Sequence, residues 1–382
     1  MRRAICTIML WMVVTAATAQ AAELTGIQAK SALLMASDGT VLFEQNADES
    51  LPPASVTKIM TMLLTMEAID EGRVSLDDKI TASAHASAMG GTQIYLKEGE
   101  QLPLRDMLKA IAVGSANDAA VAVAEHLGGS EDAFVQRMNE RAKELGCTGT
   151  TFVNPNGLDT DGEETKTTAR DIARMSRELM QHSAIFDYTT IWMDTVRDGT
   201  FQLANTNKLL RQYDGLTGLK TGYTSTAGFC MSATAEREGM SLIAVVMAEP
   251  NKEARNADVT AMLNYGFAGY GMVPVLEEND ALPQIPVALG KQPTVALELE
   301  DDTPVLLPKE RAEQAERTIE MEKSVGAPVE AHQKVGEVIL KAGGEEIARR
   351  NILTASAVEK KGISDVYRDL LGILLMKSTA DE

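Results

Sequence analysis

The segment from Pro52 to Ile69 constrains this chain more than any other. From Met60 to Ile69 the residues are apolar on nearly every side of a helix. A helix that is hydrophobic all round must lie at the centre of its domain. The fold therefore has to cover every face of that helix, which a chain of 382 residues is long enough to do, with a second domain besides. Met60, Met62 and Met66 read as core filler rather than as a cofactor site. Just ahead stand Ser55-Val56-Thr57-Lys58 and, before them, Pro52-Pro53. The prolines favour extended backbone, so the helical run Lys58 to Glu71 starts after them. Ser55 then sits at or just inside a helix N-terminus, with Lys58 one turn on and on the same face. A serine hydroxyl is a poor nucleophile until a neighbouring base takes its proton. A lysine becomes that base when burial and nearby charge depress its pKa, and the apolar neighbours of Lys58 favour burial. The free N–H groups of a helix start suit a developing oxyanion. Four such residues alone also describe an ordinary helix-start serine followed by a solvated lysine.

Two more short motifs follow in order, Ser115-Ala116-Asn117 and Lys220-Thr221-Gly222. Residues 104–127 read as two helices broken near Gly114-Ser115, so the first of these motifs falls on a loop between helices. Serine and asparagine there are otherwise common as caps or turn formers. Residues 31–43 read as a hairpin turning at Asp38-Gly39. Residues 130–180 read as mostly helical, interrupted by Asn154 to Leu158. Residues 216–249 alternate as three strands: Lys220-Thr221-Gly222 on or beside the first, Phe229 to Ala235, and Ser241 to Ala248 after a Glu238-Gly239 turn. A helix from Ala254 to Phe267 closes the unit. Helices followed by antiparallel strands make the class α+β. Beyond Gly271 come short β-prone runs, Val273 to Leu276, Thr294 to Leu299, Thr303 to Leu307 and Val338 to Lys341, which predict a small β-rich domain.

The N-terminus reads as an export signal. Arg2 and Arg3 precede the apolar stretch Ile5 to Ala17, and Ala19-Gln20-Ala21 fits small-residue cleavage; an uncleaved anchor is the alternative. Without residues 1–21 the chain keeps 34 basic against 55 acidic residues, a net charge of −21. Such a surface lacks the phosphate-neutralising charge that nucleic-acid binding depends on. Two cysteines remain, Cys147 and Cys230, expected as buried free thiols although export permits a disulfide. The four histidines are scattered, and no cluster has metal-ligand spacing, so neither a metal nor an organic cofactor is expected.

The three ordered motifs resemble those of the penicillin-binding, serine DD-peptidase and β-lactamase superfamily. The Ser-Ala-Asn form of the second motif resembles the low-molecular-weight DD-carboxypeptidases, the serine-type D-alanyl-D-alanine carboxypeptidases like penicillin-binding proteins 5 and 6. Gly90 to Gly99, Asn154 to Leu158 and Asp214 to Thr224 agree, and the likeness runs over nearly the whole chain. It implies a five-stranded sheet with helices on both faces, a helical subdomain, and a site between them. It implies Ser55 as nucleophile and Lys58 as base. Ser115 would relay a proton to the leaving amine, Asn117 would orient Lys58 and the substrate amide, and Lys220 would add positive charge. It further implies substrate contacts from Thr221, Gly222, Tyr223 and Thr224, with the Ser55 and Tyr223 N–H groups as oxyanion hole. Gly222 would let the substrate backbone approach closely. Arg255, ten residues before Tyr265 of Asn264 to Phe267, would bind the terminal carboxylate, for which a guanidinium is suited; the plainer reading is a solvated helix arginine.

The expected layout is a signal peptide at 1–21, a catalytic domain at 22–271, a β-rich domain at 272–358 and an amphipathic helix with its tail at 359–382. In the segment Gly362 to Lys377, Ile363, Val366, Tyr367, Leu370, Leu371 and Leu374 share one face. It is too short and charged to span a bilayer and suits an interfacial helix holding the protein on the periplasmic face of the cytoplasmic membrane, or a helix docked on its own domain. The expected activity is removal of the terminal D-Ala from peptidoglycan stem peptides ending in D-Ala-D-Ala, with β-lactams acylating the same serine. The rivals are a β-lactamase, disfavoured because no Glu-x-x-Leu-Asn stretch lies between Ser115 and Lys220, a DD-endopeptidase acting on cross-links, and a non-catalytic peptidoglycan-binding morphology protein.

Overall fold

Five strands carry the frame: β1 (Ser31–Ala36), β2 (Val41–Gln45), β3 (Leu216–Thr224), β4 (Gly228–Arg237) and β5 (Met240–Glu249), of which β1 and β5 are nearly continuous apolar runs. The computed structural model describes residues 24–158, 162, 164–277 and 281–378; the expected export signal lies outside them. The strands form one antiparallel sheet in the order β2-β1-β5-β4-β3. Side chains alternate across it. Leu33, Met35, Ile243, Val245 and Met247 enter one core, and Ala32, Leu34, Leu242, Ala244 and Val246 enter another. With both faces covered, β1 and β5 lack the polar alternation of a half-wet sheet.

The first core holds α1 (Lys58–Asp70), in which ten of thirteen residues are buried. Around it stand α2 (Leu104–Lys109), α3 (Asn117–Gly128), α4 (Glu131–Glu144) and α5 (Ala169–Gln181). The second core is closed by α6 (Lys252–Gly269), capped at Asn251. The α+β class and the centrally buried helix stand as expected. Residues 130–180 differ: between α4 and α5 none of the described residues from 145 to 168 is helical. Thr150, Asn154 and Asn156 satisfy backbone or side-chain groups there through their own side chains, the competition that draws such residues out of helices. A hairpin at Met193–Val196 and Phe201–Ala204 also went unread in the sequence.

Beyond the sheet, a core of Val275, Ile285, Val287, Val295, Val325, Val338 and Ile352 lies within a β-rich region. Its main sheet runs Leu297–Leu299, Glu345–Thr354, Lys334–Ala342, Ala315–Met321. Last comes α7 (Ile363–Ser378), with Ile363, Tyr367, Leu370 and Leu371 exposed.

Candidate active site

Pro53 does not stay extended. It turns to φ −91°, ψ −8°, and Ala54 follows at φ +49°. A non-glycine residue held at positive φ stores strain that its surroundings must impose. Two close approaches fix this turn. A β-carbon on Gly222 of β3 would stand 2.5 Å from the Pro53 carbonyl oxygen and 3.1 Å from the Ser55 nitrogen. One on Gly157 would stand 1.9 Å from the Ala54 carbonyl oxygen. The missing side chain of Gly222 thus makes room for the protein's own serine turn, rather than for a substrate as the motif suggests. Ala54–Thr57 then form one 3₁₀ turn that runs into α1, and the expected placement of Ser55 at a helix start holds.

Lys58 opens α1 and is fully buried. Its Nζ lies 3.0 Å from Ser55 Oγ, 2.6 Å from Asn117 Oδ1 and 2.7 Å from the Asn156 carbonyl oxygen. Three partners match the three N–H donors of an ammonium group. Burial, then the charge of Lys220, holds the amine well below its ordinary pKa, with Asp118 opposing. A neutral amine has two donors and one lone pair. An amide oxygen and a backbone carbonyl can only accept, so the lone pair must face the one partner able to donate, the Ser55 hydroxyl. The site is thereby set to take the Ser55 proton.

Asn117 is clasped from the far side. Its Nδ2 donates to the Gly90 carbonyl at 2.8 Å, and its N–H donates to the Thr92 carbonyl at 2.7 Å. Buried Asp118 accepts the N–H groups of Ile94 and Leu96 at 3.1 and 2.9 Å, which pins the same loop. Ser115 takes a left-handed conformation (φ 62°, ψ 30°) between a π-helical turn, Ala110–Gly114, and α3, and is nearly buried.

β3 is the end strand of the sheet, beside the serine turn. Lys220 on it is buried; burial and then the Arg255 charge bring it down to about 7. Thr221 Oγ1 meets Thr206 Oγ1 at 2.7 Å. Tyr223 is exposed and stacks on Phe229 with centroids 4.3 Å apart. Thr224 Oγ1 accepts the Ala227 N–H at 3.0 Å and so shapes the turn into β4. Arg255 is not the solvated alternative: it is 4% exposed, with Nε and Nη2 donating to Asn256 Oδ1. Cys147 and Cys230 are buried free thiols, raised by burial to about 12 and about 11.

The Asn156 carbonyl and the Asp118 carboxylate had no reading as site groups. A backbone oxygen has no sequence signature, although Asn154 to Leu158 stood among the likenesses. Asp118 directly follows the second motif, and that adjacency was the one available signal.

A two-faced antiparallel sheet, with a buried lysine aimed at a serine beside its end strand, defines a serine hydrolase. The family described as D-alanyl-D-alanine carboxypeptidase matches residues 15–251, and the C-terminal domain of penicillin-binding protein 5 matches residues 270–360. The D-alanyl-D-alanine carboxypeptidase DacF of Bacillus subtilis is 40% identical over 350 residues, 90% of each chain. DacC of Escherichia coli is 30% identical over 355 residues, 91% of this chain and 88% of that one. The crystal structure of penicillin-binding protein 5 from Haemophilus influenzae matches with a TM-score of 0.70 at 28% identity, over 88% of this chain and 99% of that one. The chain belongs to the D-alanyl-D-alanine carboxypeptidase family of serine hydrolases.

Proposed function

We propose that Ser55 attacks the carbonyl carbon of the terminal D-Ala–D-Ala bond in peptidoglycan stem peptides. Neutral Lys58 takes the Ser55 proton as the Oγ–C bond forms. The Ser55 and Tyr223 backbone N–H groups receive the oxyanion. Ser115 passes a proton to the departing D-Ala nitrogen, Asn117 holds Lys58 and the substrate amide, and Lys220 supplies positive charge. Thr221, Gly222 and Thr224 line the strand along which the peptide lies, and Arg255 binds the terminal carboxylate. Water, deprotonated in turn by Lys58, cleaves the acyl-enzyme. The scheme needs no metal or organic cofactor. β-Lactams, with a carboxylate beside a reactive amide, enter the same site and acylate Ser55.

The observation that carries this reading is that Ser55 is the one partner of Lys58 that can donate to a neutral amine. Time-resolved mass spectrometry of the protein mixed with penicillin tests it. A long-lived adduct on Ser55 is expected. The Ser55→Ala protein should show neither adduct nor D-Ala release, a loss of several orders of magnitude. Labelling of another serine would overturn the assignment. Rapid turnover of the drug would favour the β-lactamase, and no acylation would favour a binding protein.

The chain divides, in this reading, into an export signal at 1–21, the catalytic domain at 22–271, the β-rich domain at 272–358 and the amphipathic segment at 359–382. The mature enzyme works on the periplasmic face of the cytoplasmic membrane, with α7 lying in the interface. Support comes from the exposed apolar residues of α7, together with the fact that no helix among the described residues is long and apolar enough to cross a membrane.

A further inference from the structure

Glu249 ends β5, and its side chain is buried where α6 begins. The residue is 1% exposed, and no donor group reaches either carboxyl oxygen. A buried carboxylate that receives no hydrogen bond is costly as an anion, and no step proposed above uses it. Three titratable groups act on it. Arg255 and Asp258 stand three residues apart on one face of α6, and the Cys230 thiol reaches it from β4. Asp258 Oδ2 accepts the N–H groups of Gln28 and Ala29, and Asp258 also lies close enough to accept a hydrogen bond from Glu249 when that acid is neutral. The guanidinium of Arg255 donates to Asn256, not to Glu249. Its charge also reaches Lys220 on β3, so this cluster adjoins the strand beside the serine. Glu253, in the first turn of α6, acts on Arg255 as well.

We propose that Glu249 is a positioning residue for Arg255: as a neutral acid it leaves the guanidinium uncompensated and open to the substrate's terminal carboxylate, and as an anion it draws the guanidinium to itself and competes with that carboxylate. The inference rests on the reading of Arg255 given above. Burial first, and the Asp258 carboxylate next, push the Glu249 acid up to about 8, with Arg255 opposing. Glu249 is therefore neutral at pH 7 and ionises as the pH rises through about 8. Cys230, raised to about 11, stays a thiol over that range. Lys220, brought to about 7, titrates in a neighbouring range, so the comparison with Glu249→Gln rather than the wild-type profile alone isolates Glu249. By reciprocity, a carboxylate bound at Arg255 raises the Glu249 acid further.

The test is KM and kcat for a peptide ending in D-Ala-D-Ala across this pH range, with thermal unfolding recorded at each pH. KM of the wild-type protein is expected to rise about fivefold as Glu249 ionises, a modest coupling between two sites. Glu249→Gln, which mimics the neutral acid, should abolish the rise. Asp258→Asn should shift the rise to lower pH, a displacement that a purely structural role would not produce. In an Arg255→Ala background, Glu249→Gln should leave KM unchanged. A Glu249→Gln protein whose KM still climbs like wild type overturns the role of Glu249, even where Arg255→Ala alone raises KM. An Arg255→Ala protein with wild-type KM at every pH overturns the Arg255 reading itself, which is a separate result.

Discussion

Replacing Gly222 by alanine isolates the geometry of the serine turn from the chemistry of its side chains. Gly222 lies in β3 opposite Cys230, and its φ is not positive, so alanine meets no backbone strain there. The added methyl would stand 2.5 Å from the Pro53 carbonyl oxygen and 3.1 Å from both the Ser55 and the Val56 nitrogens. Ordinary contact begins at 3.4 Å, so about 0.9 Å must be relieved, and every opposing atom is backbone. Neither β3 nor the turn can yield by rotating a side chain, and Ser55 must move with its turn. A displacement of about 1 Å at a reacting centre costs on the order of 10²-fold in rate. Glycine to alanine within a strand contributes roughly 0.5–1 kcal/mol of stability, which offsets part of the strain. The expected result is a folded protein whose second-order rate of penicillin acylation falls about a hundredfold. Acylation rate and melting temperature, measured on the same preparation, decide it. A folded Gly222→Ala enzyme acylated within threefold of the wild-type rate would refute the argument that the motif glycine serves the serine turn.

Other outcomes follow from the buried charges and from α7. Lys220 is held at about 7 in the fold against 10.5 when free, so its burial penalty is complete below the lower value and fades as pH rises towards the higher one. Lys220→Met should therefore raise the melting temperature more in acidic than in alkaline buffer while abolishing turnover; a stabilisation independent of pH would refute the shift. Asp118→Ala leaves the Ile94 and Leu96 N–H groups without their acceptor, at about 1–3 kcal/mol each. It should lower both melting temperature and kcat, because the same loop holds Asn117; an unchanged melt would show that water replaces the carboxylate. Truncation after Lys361 should release active enzyme from membranes on fractionation, whereas a truncated protein that stays bound would assign the attachment elsewhere.

What the sequence disclosed depended on the range of the interaction. Ser55 and Lys58 are linked by one helical turn, and α1 is surrounded on all sides, so local spacing and apolar pattern suffice for both. β1 and β5 are covered on both faces, and their apolar runs were equally plain. Strands with one wet face were not: Ala315–Met321 and Glu345–Thr354 carry charges at many positions, and of their sheet only Val338 to Lys341 and the short strand Leu297–Leu299, within Thr294 to Leu299, had a readable run. The short hairpin at Met193–Ala204 has too few residues per strand to show a period. At the site itself, the motifs supplied the side chains but not what aims them. The third partner of Lys58 is a backbone carbonyl of Asn156, 98 residues away. Gly222 shows the same limit from the other side. Its lack of a side chain reads as room for a ligand, yet the atoms that need the room belong to Pro53 and Ser55, 167 or more residues earlier in the chain. A motif glycine records that something comes close; only the fold says what.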